Sequence, residues 1–87
     1  MKIDLYEKKF DLDELLYKIK MFEMINNKYP DYIVMNEQTK EVIASQYRYN
    51  YIEHGVYFKN NKRHNSEIYG IPVAYNYSLP FGIADIV

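Results

Sequence analysis

Apolar residues recur at helical spacing after Asp11, and this pattern predicts the first helix over residues 12–27. Asp11 can cap the first backbone amides, with Glu14 three residues later as in a capping box. Asn26 and Asn27 offer a left-handed exit before Pro30, which cannot continue a helix. The apolar face consists of Leu12, Leu15, Leu16, Ile19, Phe22 and either Ile25 or Asn26.

Met21 and Met24 lie beside this face and allow two interpretations. Methionine fills irregular gaps in cores, and it is also common on adaptable binding surfaces. We interpret both side chains as core filling, with a sticky binding face as the alternative.

The run Tyr32–Met35 has no polar alternation, which is typical of a strand covered on both faces. We therefore expect this strand at the centre of the sheet, with Ile33 and Val34 almost fully buried. Asn36 can cap a second helix from Glu37 to about Gln46. Val42 and Ile43 would face inward, and residues 38–41 would be solvated.

The pattern breaks down over residues 47–67, apart from a candidate strand at 56–58. Residues 60–66 are polar and predict an exposed turn. A strand is expected over residues 68–75, with Pro72 at an edge or an irregular position. Residues 83–87 predict a final strand with an exposed edge.

Three of these segments, Asp31–Asn36, Ile68–Val73 and Leu79–Gly82, resemble the axial domain of tailed-phage major capsid proteins. In that family a strand and helix start of the form D-x-I-V-M-N-P is followed by G-[IL]-P-V and then by M/L-P-x-G. Glu37 stands where the family often has proline. The resemblance implies an α+β fold, with two helices packed on a small mixed β-sheet, as a free-standing domain of a phage or prophage protein.

Composition limits the number of domains, the kinds of partner and the cellular compartment that we expect. The 87 residues make one domain, in which residues 1–10 form an N-terminal segment. The net charge of −1 argues against broad electrostatic binding of nucleic acid or an anionic membrane. The chain has no cysteine, which suits a reducing compartment, and no apolar stretch for a signal peptide or membrane span. We expect a protein of the host cytoplasm or the virion.

Catalytic and metal-binding patterns are scarce. His54 and His64 are the only histidines, and neither has the spacing of a metal site. We therefore predict no enzyme activity, no metal and no cofactor. An acidic cluster near the N-terminus consists of Asp4, Glu7, Asp11, Asp13 and Glu14. We interpret it as a helix start, where negative charge is favourable, together with a solvated tail. The alternative is that it binds a metal ion or a basic partner.

The eleven tyrosines suit either a thin domain or an interface, because the ring is apolar and the hydroxyl polar. Tyr47, Tyr49 and Tyr51 alternate, so an extended chain would place them on one face, against the domain or against a partner. The candidate partner-binding residues are Arg48, Tyr49, Tyr51, Lys62 and Arg63.

The expected partner is a protein: a capsid subunit, or a host or defence protein that the chain inhibits. Self-association through the last strand is a further expectation. The alternative is a small enzyme or a nucleic-acid-binding module with its site in residues 47–67.

Two variants test this candidate site. Replacing Arg48, Tyr49 and Tyr51 with alanine, or Lys62 and Arg63 with glutamate, should weaken partner capture and leave the melting temperature near that of the wild type. A tyrosine variant that loses stability first would place the tyrosine face in the core. If, in addition, the Lys62 and Arg63 variant captures the partner fully, the binding surface lies elsewhere on the protein.

Overall fold

The computed structural model describes residues 1–47, 52–59 and 62–87. Within these ranges the chain forms two helices and six strands. The helices are α1 (Leu12–Asn26) and α2 (Glu37–Tyr47). The strands are β1 (Lys2–Asp4), β2 (Ile33–Met35), β3 (Ile52–Lys59), β4 (Lys62–Ile68), β5 (Ile71–Tyr75) and β6 (Ile83–Ile86).

The strands form one sheet in the order β1-β6-β2-β5-β4-β3. β2 runs parallel to β5, and each of the other neighbouring pairs is antiparallel. The fold is therefore a small α+β fold with a mixed sheet, as predicted. The central position of β2 is also confirmed, because it pairs with β5 on one side and with β6 on the other.

The core lies on one face of this sheet. The register aligns Ile33 with Val73 and with Ile86, so their side chains share a face. Each strand pair continues the same apolar layer, which packs with α1 and α2 in one cluster. The strand residues of this layer are Ile3, Ile33, Met35, Ile68, Ile71, Val73, Ala84 and Ile86, and the helix residues are Leu12, Leu15, Ile19, Phe22 and Ile43.

The two faces of β2 differ, which corrects the expectation of a strand covered on both sides. Ile33 and Met35 are fully buried, whereas Val34 between them is only half-buried. Val34 opposes Asp85 of β6, and Lys2 opposes Asp85 from β1, so charged residues occupy this second face. The apolar run of the sequence does not reveal this difference, because it has no polar residue to mark the outer face.

Both ends of α1 follow the predicted caps. The Asp11 carboxylate accepts a hydrogen bond of 2.9 Å from the Asp13 amide. Asn27 has φ 56°, and its amide donates to the Glu23 carbonyl at 2.8 Å. The reciprocal half of a capping box is not formed, because the Asp11 amide donates to Lys8 O.

Residues 47–67, expected to be irregular, instead contribute the antiparallel hairpin of β3 and β4. The candidate strand at 56–58 lies within β3, and the expected turn at 60–66 is largely strand β4, with Ser66 buried. β4 is largely polar and carries no apolar alternation, so its pairing with β3 and β5, and not its own pattern, defines it as a strand.

The expected strand over residues 68–75 is interrupted by a tight turn at Tyr69 and Gly70, which have φ 52° and 78°. Positive φ at both central residues is the geometry of a type I′ turn, which joins β4 to β5. Pro72 opposes Glu67, and the parallel pairing with β2 begins one residue later, at Val73. The proline therefore lies at an irregular position of an internal strand.

The last strand is not an exposed edge, which removes the expected route to self-association. β6 lies between β1 and β2. The sequence analysis did not predict β1, whose Ile3 belongs to the core and whose Lys2 and Asp4 are exposed. A short edge strand with charged residues resists pairing with another chain.

The difference between the two faces of β2 predicts different effects for neighbouring substitutions. Ile33→Asn should destabilise the protein by at least about 3 kcal/mol, because it loses apolar burial and buries an amide. Val34→Asn should cost roughly 1 kcal/mol, because that side chain reaches water. Thermal unfolding measures both, at about 4–8 °C per kcal/mol for a domain of this size. Equal shifts in the melting temperatures of the two variants would show that both faces of β2 are covered.

Candidate interaction surface

The turn that joins β5 to β6, residues 76–82, is attached to the start of α2 by hydrogen bonds at two points. The Asn76 amide donates to the Met35 carbonyl at 3.0 Å. The Asn36 side-chain amide donates to the Leu79 carbonyl at 3.1 Å. Asn36, which follows β2 and caps α2, therefore also holds the later turn in place.

Thr39 makes the buried link between α2 and this turn. The Gly82 amide donates to Thr39 Oγ1 at 2.9 Å, and the Thr39 hydroxyl donates to Asn36 Oδ1 at 2.8 Å. Asn36 Oδ1 also accepts from the Thr39 amide at 2.8 Å, which confirms the predicted cap of α2. Thr39 is fully buried, so the expectation of a solvated side chain was wrong.

The N-terminal segment closes over the same turn. The Leu5 amide donates to the Gly82 carbonyl at 2.7 Å. Gly82 has φ 88°, and a Cβ atom there would lie 2.7 Å from the Cβ of Tyr6. Only glycine allows both this backbone conformation and this close approach. The segment then bends back through Lys9 and Phe10, both with φ 56°.

This approach brings three aromatic rings together from opposite ends of the chain. The ring of Phe81 lies 6.2 Å from that of Tyr6 and 5.7 Å from that of Phe10, and Tyr6 and Phe10 are 6.3 Å apart in an edge-on contact. Phe10 is buried, whereas Tyr6 is 67% exposed and Phe81 is 43% exposed. We call these three residues the aromatic surface.

A surface cavity of about 300 Å³ lies at the other side of the turn. Its lining includes Asn36, Glu37, Gln38 and Tyr77. The Tyr77 hydroxyl is 3.4 Å from Glu37 Oε2, and the tyrosine is largely exposed. The carboxylate of Glu37 occupies the positive end of α2, so a bound anion is disfavoured there.

Lys40 supplies a cation on the same helix. Burial lowers its pKa, but the hydrogen bond to Glu41 and the contact with Tyr75 outweigh burial and hold the pKa above the ordinary value. Its Nζ lies 2.9 Å from Glu41 Oε1. The lysine is therefore charged at neutral pH and has no character of a general base.

Two of the five acidic residues near the N-terminus, Asp4 and Asp11, accept hydrogen bonds from nearby backbone amides. Asp4 accepts from the Glu7 amide at 3.1 Å, as Asp11 does from that of Asp13. Among the residues that the structure describes, no group of three or more histidine, aspartate or glutamate side chains is placed to hold a metal ion.

None of the sequence-predicted site residues that the structure describes belongs to the aromatic surface. Arg48, Tyr49 and Tyr51 fall outside the described residues. Lys62 and Arg63 belong to β4, where they oppose Lys59 and Phe58 of β3.

Four further residues of that region are in regular structure. Tyr47 is the last residue of α2, so it does not begin an extended run with Tyr49 and Tyr51. His54 lies in β3 and His64 in β4, so both histidines are in strands. Ser66 Oγ is buried and has no hydrogen-bond partner among the described residues.

The sequence analysis missed Tyr6 and Phe81 as surface residues. Each is a single aromatic beside a turn, and nothing in the local pattern relates one to the other. The glycine of the Leu79–Gly82 turn was the one available signal, since a glycine before a strand indicates a special φ or a close approach.

No family model, curated protein or solved structure matches this chain. Across the described ranges, neither helix combines the length and the apolar character needed to cross a bilayer.

The buried link at Thr39 predicts a contrast between two conservative variants. Thr39→Val keeps the shape but leaves the Gly82 amide without its acceptor, which should cost about 1–3 kcal/mol. Thr39→Ser keeps the hydroxyl and should cost less, through the lost methyl group alone. Thermal unfolding compares the two, and hydrogen exchange of the Gly82 amide should accelerate only in Thr39→Val. Unchanged exchange in that variant would contradict the role of the hydroxyl.

Proposed function

We propose that this protein acts without catalysis, by binding another protein through the aromatic surface. The observation that carries the proposal is the exposure of Tyr6 and Phe81 on a frame fixed by buried hydrogen bonds. The frame consists of Asn36, Thr39 and Gly82.

Exposed aromatic rings on a fixed frame suit binding for two reasons. Tyrosine and phenylalanine bury a large apolar area when a partner covers them, and aromatic side chains are frequent at the centres of interfaces. A ring already held by its neighbours also loses little freedom on binding. Phe81 contacts both Tyr6 and Phe10, so the partner would meet a surface that is largely preformed.

The class of partner follows from the resemblance to capsid axial domains. We propose a phage or prophage protein that binds a capsid subunit during virion assembly, or that inhibits a host or defence protein. The three segments that carry the resemblance adjoin one another, and the last of them contains Phe81: β2 lies beside β5, and Asn36 is bonded to Leu79. Lys62 and Arg63 remain a second candidate contact region on β4.

Capture from host lysate tests the proposal. The double variant Tyr6→Ala and Phe81→Ala should lose most of the captured partner, which mass spectrometry of the wild-type eluate identifies. The loss of the ring contacts should lower stability by about 1–2 kcal/mol. Circular dichroism must therefore show that the variant is folded at the temperature of the assay.

Tyr17→Ala is the matched control, because it removes a tyrosine of similar exposure from α1. It should retain the partner. The opposite result is that the partner is captured by the Tyr6→Ala and Phe81→Ala variant and lost by a variant with Lys62→Glu and Arg63→Glu. That result would place the binding site on β4 and contradict the proposal that the aromatic surface binds the partner.

A further inference from the structure

Helix α1 has a second apolar face that the fold leaves in solvent. Met24 is 83% exposed, Ile25 is 69% exposed and Tyr17 is 60% exposed. Met21 lies between them and is half-buried. We call these four residues the outer stripe. The interpretation of Met24 as core filling and the inclusion of Ile25 in the inner face were therefore wrong.

The outer stripe follows the helical period. Tyr17, Met21, Met24 and Ile25 are spaced by four, three and one residues, so they line one side of the helix. The buried face, with Leu15, Ile19 and Phe22, lies on the opposite side. A helix that is apolar on two sides buries only one of them against its own sheet. The outer stripe is thus a surface without a partner in the described chain.

We propose that the outer stripe binds the same stripe of a second copy of this chain, with the two α1 helices antiparallel about a two-fold axis. The axis would pass near Met21, so that Tyr17 of each copy, four residues before Met21, packs on Ile25 of the other, four residues after it. The two methionines at the centre would adapt to each other, since their side chains are unbranched. The same patch then serves both copies, as an isologous interface requires.

The charges along α1 favour this occupant and this direction. Asp13 and Glu14 lie in its first turn, whereas its last turn has no basic residue and Lys28 follows its end. Glu14 and Lys28 are each seven residues from Met21. An antiparallel copy therefore places Lys28 of the partner subunit beside Glu14, whereas a parallel copy would place the two acidic turns together.

Two neighbouring charges are compatible with this arrangement. Lys28 also contacts Asp31 at 3.2 Å, in an exposed pair that leaves the ammonium other donors. Lys20 lies near the axis at the flank of the outer stripe and is exposed, so its long side chain can extend away from its copy.

The size of the helix sets the strength of the association. At 15 residues α1 is about 22 Å long. One pair of helices of this length falls in the small class of interfaces, below about 1,200 Å², which are weak or transient. We therefore expect a dimer with a dissociation constant in the micromolar range. This surface is separate from the aromatic surface and from β6.

Sedimentation velocity over about 1–300 µM tests the dimer at an affinity of this class. The wild type should shift from monomer to dimer across the range. Met24→Glu should weaken the dimer at least about tenfold, because it places a charge in the apolar centre. Its melting temperature at low concentration should stay near that of the wild type, since the residue is exposed.

Exchanging the charges of Glu14 and Lys28 tests whether the two α1 helices run antiparallel. Glu14→Lys and Lys28→Glu should each weaken the dimer about two- to fivefold, as a single pair of this kind contributes little. The variant that carries both Glu14→Lys and Lys28→Glu should restore the affinity of the dimer. Tyr77→Ala is the control on another surface and should dimerise as the wild type does.

Three results would overturn the proposal. A wild-type chain that stays monomeric at the highest concentration would exclude this occupant, and loss of a foreign partner in Met24→Glu would then assign the outer stripe to that partner. A dimer unaffected by Met24→Glu would place the interface elsewhere. A double charge variant weaker than both single variants would exclude the antiparallel pairing.

Discussion

The hydroxyl of Thr39 is the point on which the arrangement of the chain ends depends. It accepts from the buried Gly82 amide and donates to Asn36, which is half-buried. A buried polar group without a partner is costly, so this link fixes the turn before β6 against the start of α2. β6 then takes its place between β1 and β2, and the Leu5 amide closes the N-terminal segment on Gly82.

Two exposed surfaces follow from the packing of one layer of helices on one face of the sheet. The close approach of Tyr6 to Gly82 leaves the rings of Tyr6 and Phe81 at the surface. The burial of one side of α1 leaves Met24, Ile25 and their neighbours on the other. A domain of this size cannot cover all its apolar side chains, and we propose association as the use of both surfaces. One surface suits a foreign protein, and the other suits a second copy.

The charged groups that the structure places in hydrogen bonds have structural roles. Asp4 and Asp11 accept from backbone amides, and Lys40 is held as a cation by Glu41 and Tyr75. These groups stabilise turns and helix ends, where such charges are favourable. What remains to contact a partner is aromatic and apolar, and the proposed functions follow from that.

The sequence by itself determined the elements whose signals are local. The periodicity of α1, the caps at Asp11, Asn27 and Asn36, and the central apolar strand β2 were all predicted, because a few neighbouring residues decide them.

Only the tertiary structure decided which face of each element is covered. Val34 and Met24 look like core residues in the sequence, yet both reach solvent, since exposure depends on the packing of distant elements. β4 is largely polar, so cross-strand pairing and not its own pattern makes it a strand. Tyr6 and Phe81 meet because Gly82 lets two backbones approach, and residues at opposite ends of a chain carry no local signal of their contact.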